Sequence, residues 1–246
     1  MVLTPASFTI AQLRTGRVRP LGTRGVPSGI DKQPVHGAVV AGPTGLSGDE
    51  QADLRHHGGV DKAVHAYAAS NLAWWAAELP DAANRFVPGA FGENLVVEGA
   101  DEADICLGDL WRVGGALLEV SQGRQPCWKL NLRFDRADMA RRVQSSGRTG
   151  WYFRVLQPGP LAAGDVATLD SRPHPQWPLT RVSHLLYHDR LDRPALAALA
   201  ALPRLPDRWR ELALARLATG ETEDWRRRVD TPPPADEASP EKDPQR

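Results

Sequence analysis

The chain has 246 residues with 30 Lys and Arg against 30 Asp and Glu, a formal net charge of zero. No global basic field draws it to a nucleic-acid polymer, so any anion site must come from local clustering. Two cysteines make no disulfide framework and fit a reducing compartment, and no apolar run reaches signal-peptide or membrane-span length; the expectation is a soluble, cytoplasmic protein without a membrane partner.

Hydrophobic residues make up 41% of the chain, enough for one large domain or a main domain with a small appendage. Residues 1–9 read as a loosely held leader. Residues 10–18 read as a first strand, near a sheet edge because Gly and Pro follow it. A Gly- and Pro-rich loop over residues 19–29 contains Arg24, and Lys32 leads to a strand at about residues 35–40.

The densest polar run is residues 55–65. Gly58 and Gly59 permit close backbone approach to a ligand, and His56, His57, Lys62 and His65 supply donors and general acids. The run fits a site for an anionic or polar ligand, or a solvated loop whose histidines cap structure. It lacks the HExxH or finger spacing of a zinc site.

Residues 70–79 read as a helix with Ser70 as N-cap and Leu72, Trp75 and Leu79 on one face, ended by Pro80. Glu93 and Asn94 stand just before a strand, where Asn94 suits a ligand contact and a turn equally. Residues 105–113 and 116–120 read as strands joined by the Gly114-Gly115 turn, with Cys106 structural. Asp135 is placed as the cap of a helix running to about Gln144 with Met139 and Val143 inward. Residues 151–156 and 165–170 are the last strands expected.

From residue 173 the composition changes. Residues 173–179 read as a linker, and residues 180–230 as short helices, one of them opened by Asp192 followed by Pro194. Their apolar faces leave a homodimer contact and docking on the chain's own first domain equally open. Residues 231–246, nearly without apolar side chains, read as disordered. The domain reading is therefore 1–172, with its core at about 30–170, then the linker, the helical domain and the tail.

The loop Ser121-Gln-Gly-Arg-Gln-Pro-Cys-Trp-Lys-Leu-Asn131 follows the strand at 116–120. Gly123 and Pro126 mark a turn of fixed shape. Cys127 stands between Arg124 and Lys129, and flanking cations favour the thiolate. A thiolate is a nucleophile and a soft metal ligand, so the residues alone leave both uses open beside a plain buried thiol.

Gly48-Asp-Glu-Gln-Ala-Asp53, His57-Gly-Gly-Val-Asp-Lys-Ala-Val-His65, Phe91-Gly-Glu-Asn-Leu95, Gly108-Asp109 and Ser121-Gln-Gly-Arg-Gln-Pro-Cys127 together resemble MOSC-domain proteins of the YiiM type. The likeness runs from about residue 30 to 170, and the later helices resemble the three-helix domain of that subgroup. The resemblance implies a mostly β, barrel-like domain with a small α-helical domain, binding the molybdenum cofactor through Cys127. It also implies reduction of N-hydroxylated substrates, such as the base analogue 6-hydroxylaminopurine, hydroxylamines and amidoximes, to amines. His57 and His65 are the candidate proton donors, and Lys32, Lys62, Asn94, Arg124, Gln125 and Lys129 the candidates for holding the cofactor. No Rossmann glycine fingerprint, flavin motif or iron–sulfur spacing occurs, so a reductase of this kind needs a separate electron donor. Two alternatives stay open: a metal-free thiol enzyme with His57 or His65 as base, and a carrier of cofactor or sulfur on Cys127.

Overall fold

The structure, a computed structural model, describes residues 6–233. Strand β1 (Ser7–Thr15) is followed by five short strands, β2 (Arg19–Leu21), β3 (Val26–Ser28), β4 (Gln33–Pro34), β5 (Val39–Gly42) and β6 (Gly45–Leu46). A single helical turn, α1 (Leu54–His57), and a 3₁₀ turn, Val60–Lys62, lead to β7 (Val64–Ala68), α2 (Ala69–Glu78) and β8 (Leu95–Glu98). Next come β9 (Leu110–Val113), β10 (Ala116–Gly123), α3 (Lys129–Phe134), α4 (Met139–Ser146), β11 (Trp151–Gln157), β12 (Gly159–Leu161) and β13 (Val166–Ser171). The helices α5 (Leu179–Tyr187), α6 (Arg193–Ala200), α7 (Asp207–Thr219) and α8 (Arg226–Val229) close the described chain.

Seven strands form a mixed barrel in the order β1-β13-β9-β10-β11-β7-β8, closed because β1 pairs with both β13 and β8. Closure leaves no open edge. One neighbouring pair, β7 and β8, is parallel; a parallel pair needs a crossover, and α2 supplies it. The interior is filled by Ile10, Trp111, Val113, Leu118, Trp151 and Phe153, all fully buried. Outside the wall, α2, α3 and α4 enclose a second, aromatic core in which the Tyr67 and Phe91 rings stack at 4.4 Å and those of Phe86 and Phe134 at 5.0 Å.

The C-terminal helices pack on the barrel. Leu179, Val182, Leu185, Leu196 and Leu199 belong to the same apolar core as the barrel interior. Glu119 on β10 is buried, and its carboxylate accepts from Arg204 Nε at 2.7 and 2.8 Å. The apolar faces of these helices are thus covered by their own chain and carry no argument for a second copy.

Several sequence-based expectations are corrected. The first strand begins at Ser7 and is no edge, since β13 covers the side that an open sheet would expose. Ser70 lies inside α2, whose N-cap is Ala68. Residues 105–109 form a turn instead of a strand, because Asp109 Oδ2 accepts the Cys106 N–H at 2.9 Å and holds the backbone folded; Cys106 itself is buried, with burial and Asp109 pushing its thiol up to about 11. Asp135 ends α3 in the left-handed conformation, φ 52°, and starts no helix; α4 begins at Met139. An Asp tolerates that conformation better than a bulky residue does. Residues 231–233 are tied to the rest of the chain, with Arg24 Nη1 donating to Pro232 O at 2.6 Å; the remainder of the tail, 234–246, and residues 1–5 of the leader lie outside the described residues.

Candidate active site

Strand β10 delivers the cysteine loop. β9 pairs with it as far as Glu119 and β11 as far as Gly123, and the Arg124 N–H donates to Gly150 O at 2.9 Å just beyond. Pro126, without an N–H, then turns the chain outward. Cys127 follows, one residue before the N-cap of α3, Trp128. It is 9% exposed, yet it lines two cavities that meet across it.

The first cavity takes its walls from widely separated parts of the chain. Ser28 and Lys32 come from the β3–β4 region, Asp49 from the loop after β6, His57 and Lys62 from the turns before β7, Gly92 and Asn94 from the approach to β8, and Tyr152 from β11. His65, Arg124 and Lys129 also line it. The second cavity shares His57, Lys62, Cys127, Lys129 and Tyr152 with the first. It adds Gln122 and Gln125 together with Arg208, Arg227 and Arg228 from the helical domain.

The buried polar groups of the first cavity form a network. Lys32 and Asp49 make an ion pair with both side chains almost fully buried. Asp49 also accepts from Asn94 Nδ2 at 2.9 Å and from the Gly16 N–H at 2.8 Å. Asn94 Oδ1 accepts the His65 N–H at 3.0 Å. Burial pulls the Lys32 ammonium below the usual lysine range while Asp49 acts to raise it.

Arg124 behaves differently. It is 7% exposed, and its Nη1 is buried without a hydrogen-bond partner. No carboxylate among the described residues forms a salt bridge with it. Its side chain hydrogen-bonds the Tyr152 hydroxyl, whose pKa burial raises, so Tyr152 keeps its proton. Such a guanidinium is a ready anion contact.

Burial and positive potential lower His57, His65 and Lys62. Burial, then Arg124, Lys62 and Lys129, lower His57 to about 4. Burial and Arg124 hold His65 well below the usual histidine range, so both imidazoles are neutral at pH 7. Lys62 is lowered by burial and by Arg208, with Asp61, Asp53 and Cys127 acting in the opposite sense.

The structure brings Cys127, His57, His65, Lys32, Lys62, Asn94, Arg124 and Lys129 around the first cavity. Gln125 lines only the second, and its side chain hydrogen-bonds Tyr187 of α5. Reasoning from sequence missed Asp49 as the partner of Lys32 and Asn94, Tyr152, and the three arginines Arg208, Arg227 and Arg228. The acidic run after Gly48 was a visible signal for Asp49; nothing local marked the arginines.

Residues 53–168, which carry most of the closed mixed barrel and the cysteine loop, match the MOSC domain family model. Residues 177–220 match the YiiM-like, 3-alpha helix domain. The chain is 36% identical over 215 residues to protein YiiM of Escherichia coli (strain K12), covering 87% of this chain and 95% of that protein. It therefore belongs to the MOSC-domain proteins of the YiiM type. A protein of Gibberella moniliformis named a reductase is 37% identical over 216 residues; the match takes in 87% of this chain but 38% of that longer protein. The crystal structure of YiiM from Escherichia coli superposes with a TM-score of 0.75 at 32% identity, covering 87% of this chain and all of that one. That of YiiM from Geobacillus stearothermophilus gives 0.72 at 34%, covering 85% and 99%. No helix among the described residues is long and apolar enough to cross a membrane.

Proposed function

We propose that this protein is an oxidoreductase that holds a molybdenum cofactor at Cys127 and reduces N-hydroxylated compounds to amines. The balance is R–NHOH plus two protons and two electrons giving R–NH2 and water, with the electrons supplied by a separate reductase. The observation that carries the reading is the position of Cys127, a soft donor set where two cavities meet beneath a cluster of cations.

The residues fit the group. Cys127, which lines both cavities, would be the protein's thiolate ligand to the metal, with the cofactor's dithiolene supplying further sulfur donors. Arg124 offers an unpartnered guanidinium nitrogen for the cofactor's anionic portion, and Lys62 and Lys129 stand beside it. When bound, the cofactor supplies the two-electron redox centre.

The chain's own side chains supply the rest. The neutral His57 ring and the Tyr152 hydroxyl donate hydrogen bonds to a substrate oxygen without placing a further charge in the cleft. Lys62, made more acidic by burial and Arg208, is the proton source for the departing oxygen. Asp49 and Asn94 keep Lys32 and the strand carrying His65 in place.

The test is turnover. Protein from a cofactor-competent host, given a reduced viologen dye, is expected to convert 6-hydroxylaminopurine to the amine or an amidoxime to the amidine, with Cys127→Ser inactive. Binding without turnover would favour a carrier, and turnover by molybdenum-free protein would favour a thiol enzyme; either outcome overturns the proposal.

A further inference from the structure

Beyond α7 the chain turns back to the barrel, and the segment from Trp225 to Pro233 lies across the cysteine loop. We propose that this segment is a strap belonging to the active site and that Arg228 is a positioning residue for Cys127. The inference rests on the reading of Cys127 as the functional centre and adds a component outside both segments, 53–168 and 177–220, that match family models.

Arg228 grips the residues on either side of the cysteine. Its Nη1 donates to Pro126 O at 2.6 Å, and its carbonyl accepts the Trp128 N–H at 2.7 Å. Pro126 is buried and has no N–H, so its carbonyl is its one main-chain polar group and would be orphaned without the guanidinium. The second arm, Nη2, donates to Gln144 Oε1 at 2.5 Å, and Gln144 is itself buried on α4. The guanidinium carbon lies 5.9 Å from the centre of the Tyr187 ring, and Tyr187 hydrogen-bonds the Gln125 side chain. Gln125, Pro126 and Trp128 are therefore all tied to the strap or to α5, and Cys127 is fixed between them.

The strap is anchored independently of this grip. Val229 is fully buried in the aromatic core. Asn131 Nδ2 donates to Val229 O at 2.9 Å, and Arg141 makes a bidentate pair with Asp230 at 2.8 and 2.8 Å. A clamp held at its own ends can impose geometry on what it grips, whereas a frayed terminus cannot. The same strap places Arg227 on the second cavity, so one segment both holds the cysteine loop and adds charge to the cleft.

The test reads the thiol and not the reaction. In the full chain purified without cofactor, iodoacetamide labelling of Cys127 is followed by peptide mass mapping, with buried Cys106 as internal reference. Arg228→Met removes both guanidinium bonds and is expected to speed Cys127 labelling about tenfold, as expected when local opening becomes easier by the loss of charge-assisted hydrogen bonds. Arg228→Lys, able to restore one bond, should fall between. Asp192→Ala, which removes the remote cap of α6, should lower stability without changing the rate. Should Arg228→Met fail to fold, Gln144→Leu releases one arm and should give a smaller acceleration. A parental rate in the Arg228 and Gln144 variants, or an equal acceleration in Asp192→Ala, would overturn the positioning role. Because labelling needs no molybdenum, a faster thiol in a protein that never binds the metal would leave the strap standing and remove the cofactor reading instead.

Discussion

A guanidinium that is 7% exposed with one nitrogen unpartnered costs stability in the ligand-free protein, because buried charge must be compensated by a partner. Arg124→Met is accordingly expected to leave the cofactor-free protein as stable as the parent or more so, by about 1 kcal/mol, while molybdenum loading falls sharply; urea melts and metal analysis check the two halves. His57 makes a second, pH-dependent statement. The folded chain holds it at about 4 against an ordinary 6.5, so between those values the unfolded chain binds more protons. Stability therefore rises with pH across that window and is lost as pH falls through it. His57→Gln should flatten this fall in part, since His65 is lowered in the same direction, and urea midpoints at about pH 4.5 and 7.5 measure it. At this scale much of the site could be read in advance: a cysteine between cations after a strand, and histidines beside paired glycines, are local patterns. Asp49 meeting Asn94 across 45 positions and Arg228 meeting Pro126 across 102 are not, because only the closed fold makes them neighbours.

Among the elements, β11 sets the geometry of the site through its first residues. Gly150, at φ 72°, precedes it, and a Cβ there would stand 2.4 Å from Ala66 O and 2.9 Å from His65 Nε2. Its carbonyl accepts the Arg124 N–H, and its own N–H donates to buried Glu102 at 2.7 Å. Gly150→Ala should cost roughly 2 kcal/mol or more of stability from backbone strain and overlap, seen as a lower melting temperature, and displace Arg124. Helices with clear apolar periodicity, such as the one around Trp75, and the Gly114-Gly115 hairpin were legible because their signals are local. The start of α4 was not. Asp135 is a good N-cap by type, but Asn131 Oδ1 takes the Ala140 N–H at 2.8 Å and Asp135 turns left-handed to end α3. A side-chain contact inside the fold overrode the cap preference. The turn at 105–109 escaped for the same reason: Asp109 folds the backbone at Cys106, and residues 105–107 pair in a short antiparallel bridge with residues 177–179, 72 positions away at Cys106 and Pro178, where no local pattern shows it.

Across the whole molecule, the barrel and the helical domain share one apolar core, and the Glu119–Arg204 pair crosses between them. A chain ending at Ser171 should expose the surface now covered by Trp177, Leu179, Val182 and Leu185 and be recovered as insoluble or aggregated protein, against a monodisperse full chain in gel filtration. The helical region is thus a structural half of the site's support, and through the strap it reaches the cysteine loop itself. What the sequence could not display was this interdependence, since a change of composition at residue 173 looks like a boundary even where the two sides bury one another. The proposed function requires the fold to present Cys127 to a molybdenum cofactor. The most direct measurement is the molybdenum and pterin content of protein from a cofactor-competent host, beside Cys127→Ser. Near-stoichiometric metal and pterin in the parent, with the metal lost in the variant, is the expected result. Absence of molybdenum from a correctly folded parent, in a host that loads its other molybdoenzymes, would contradict it.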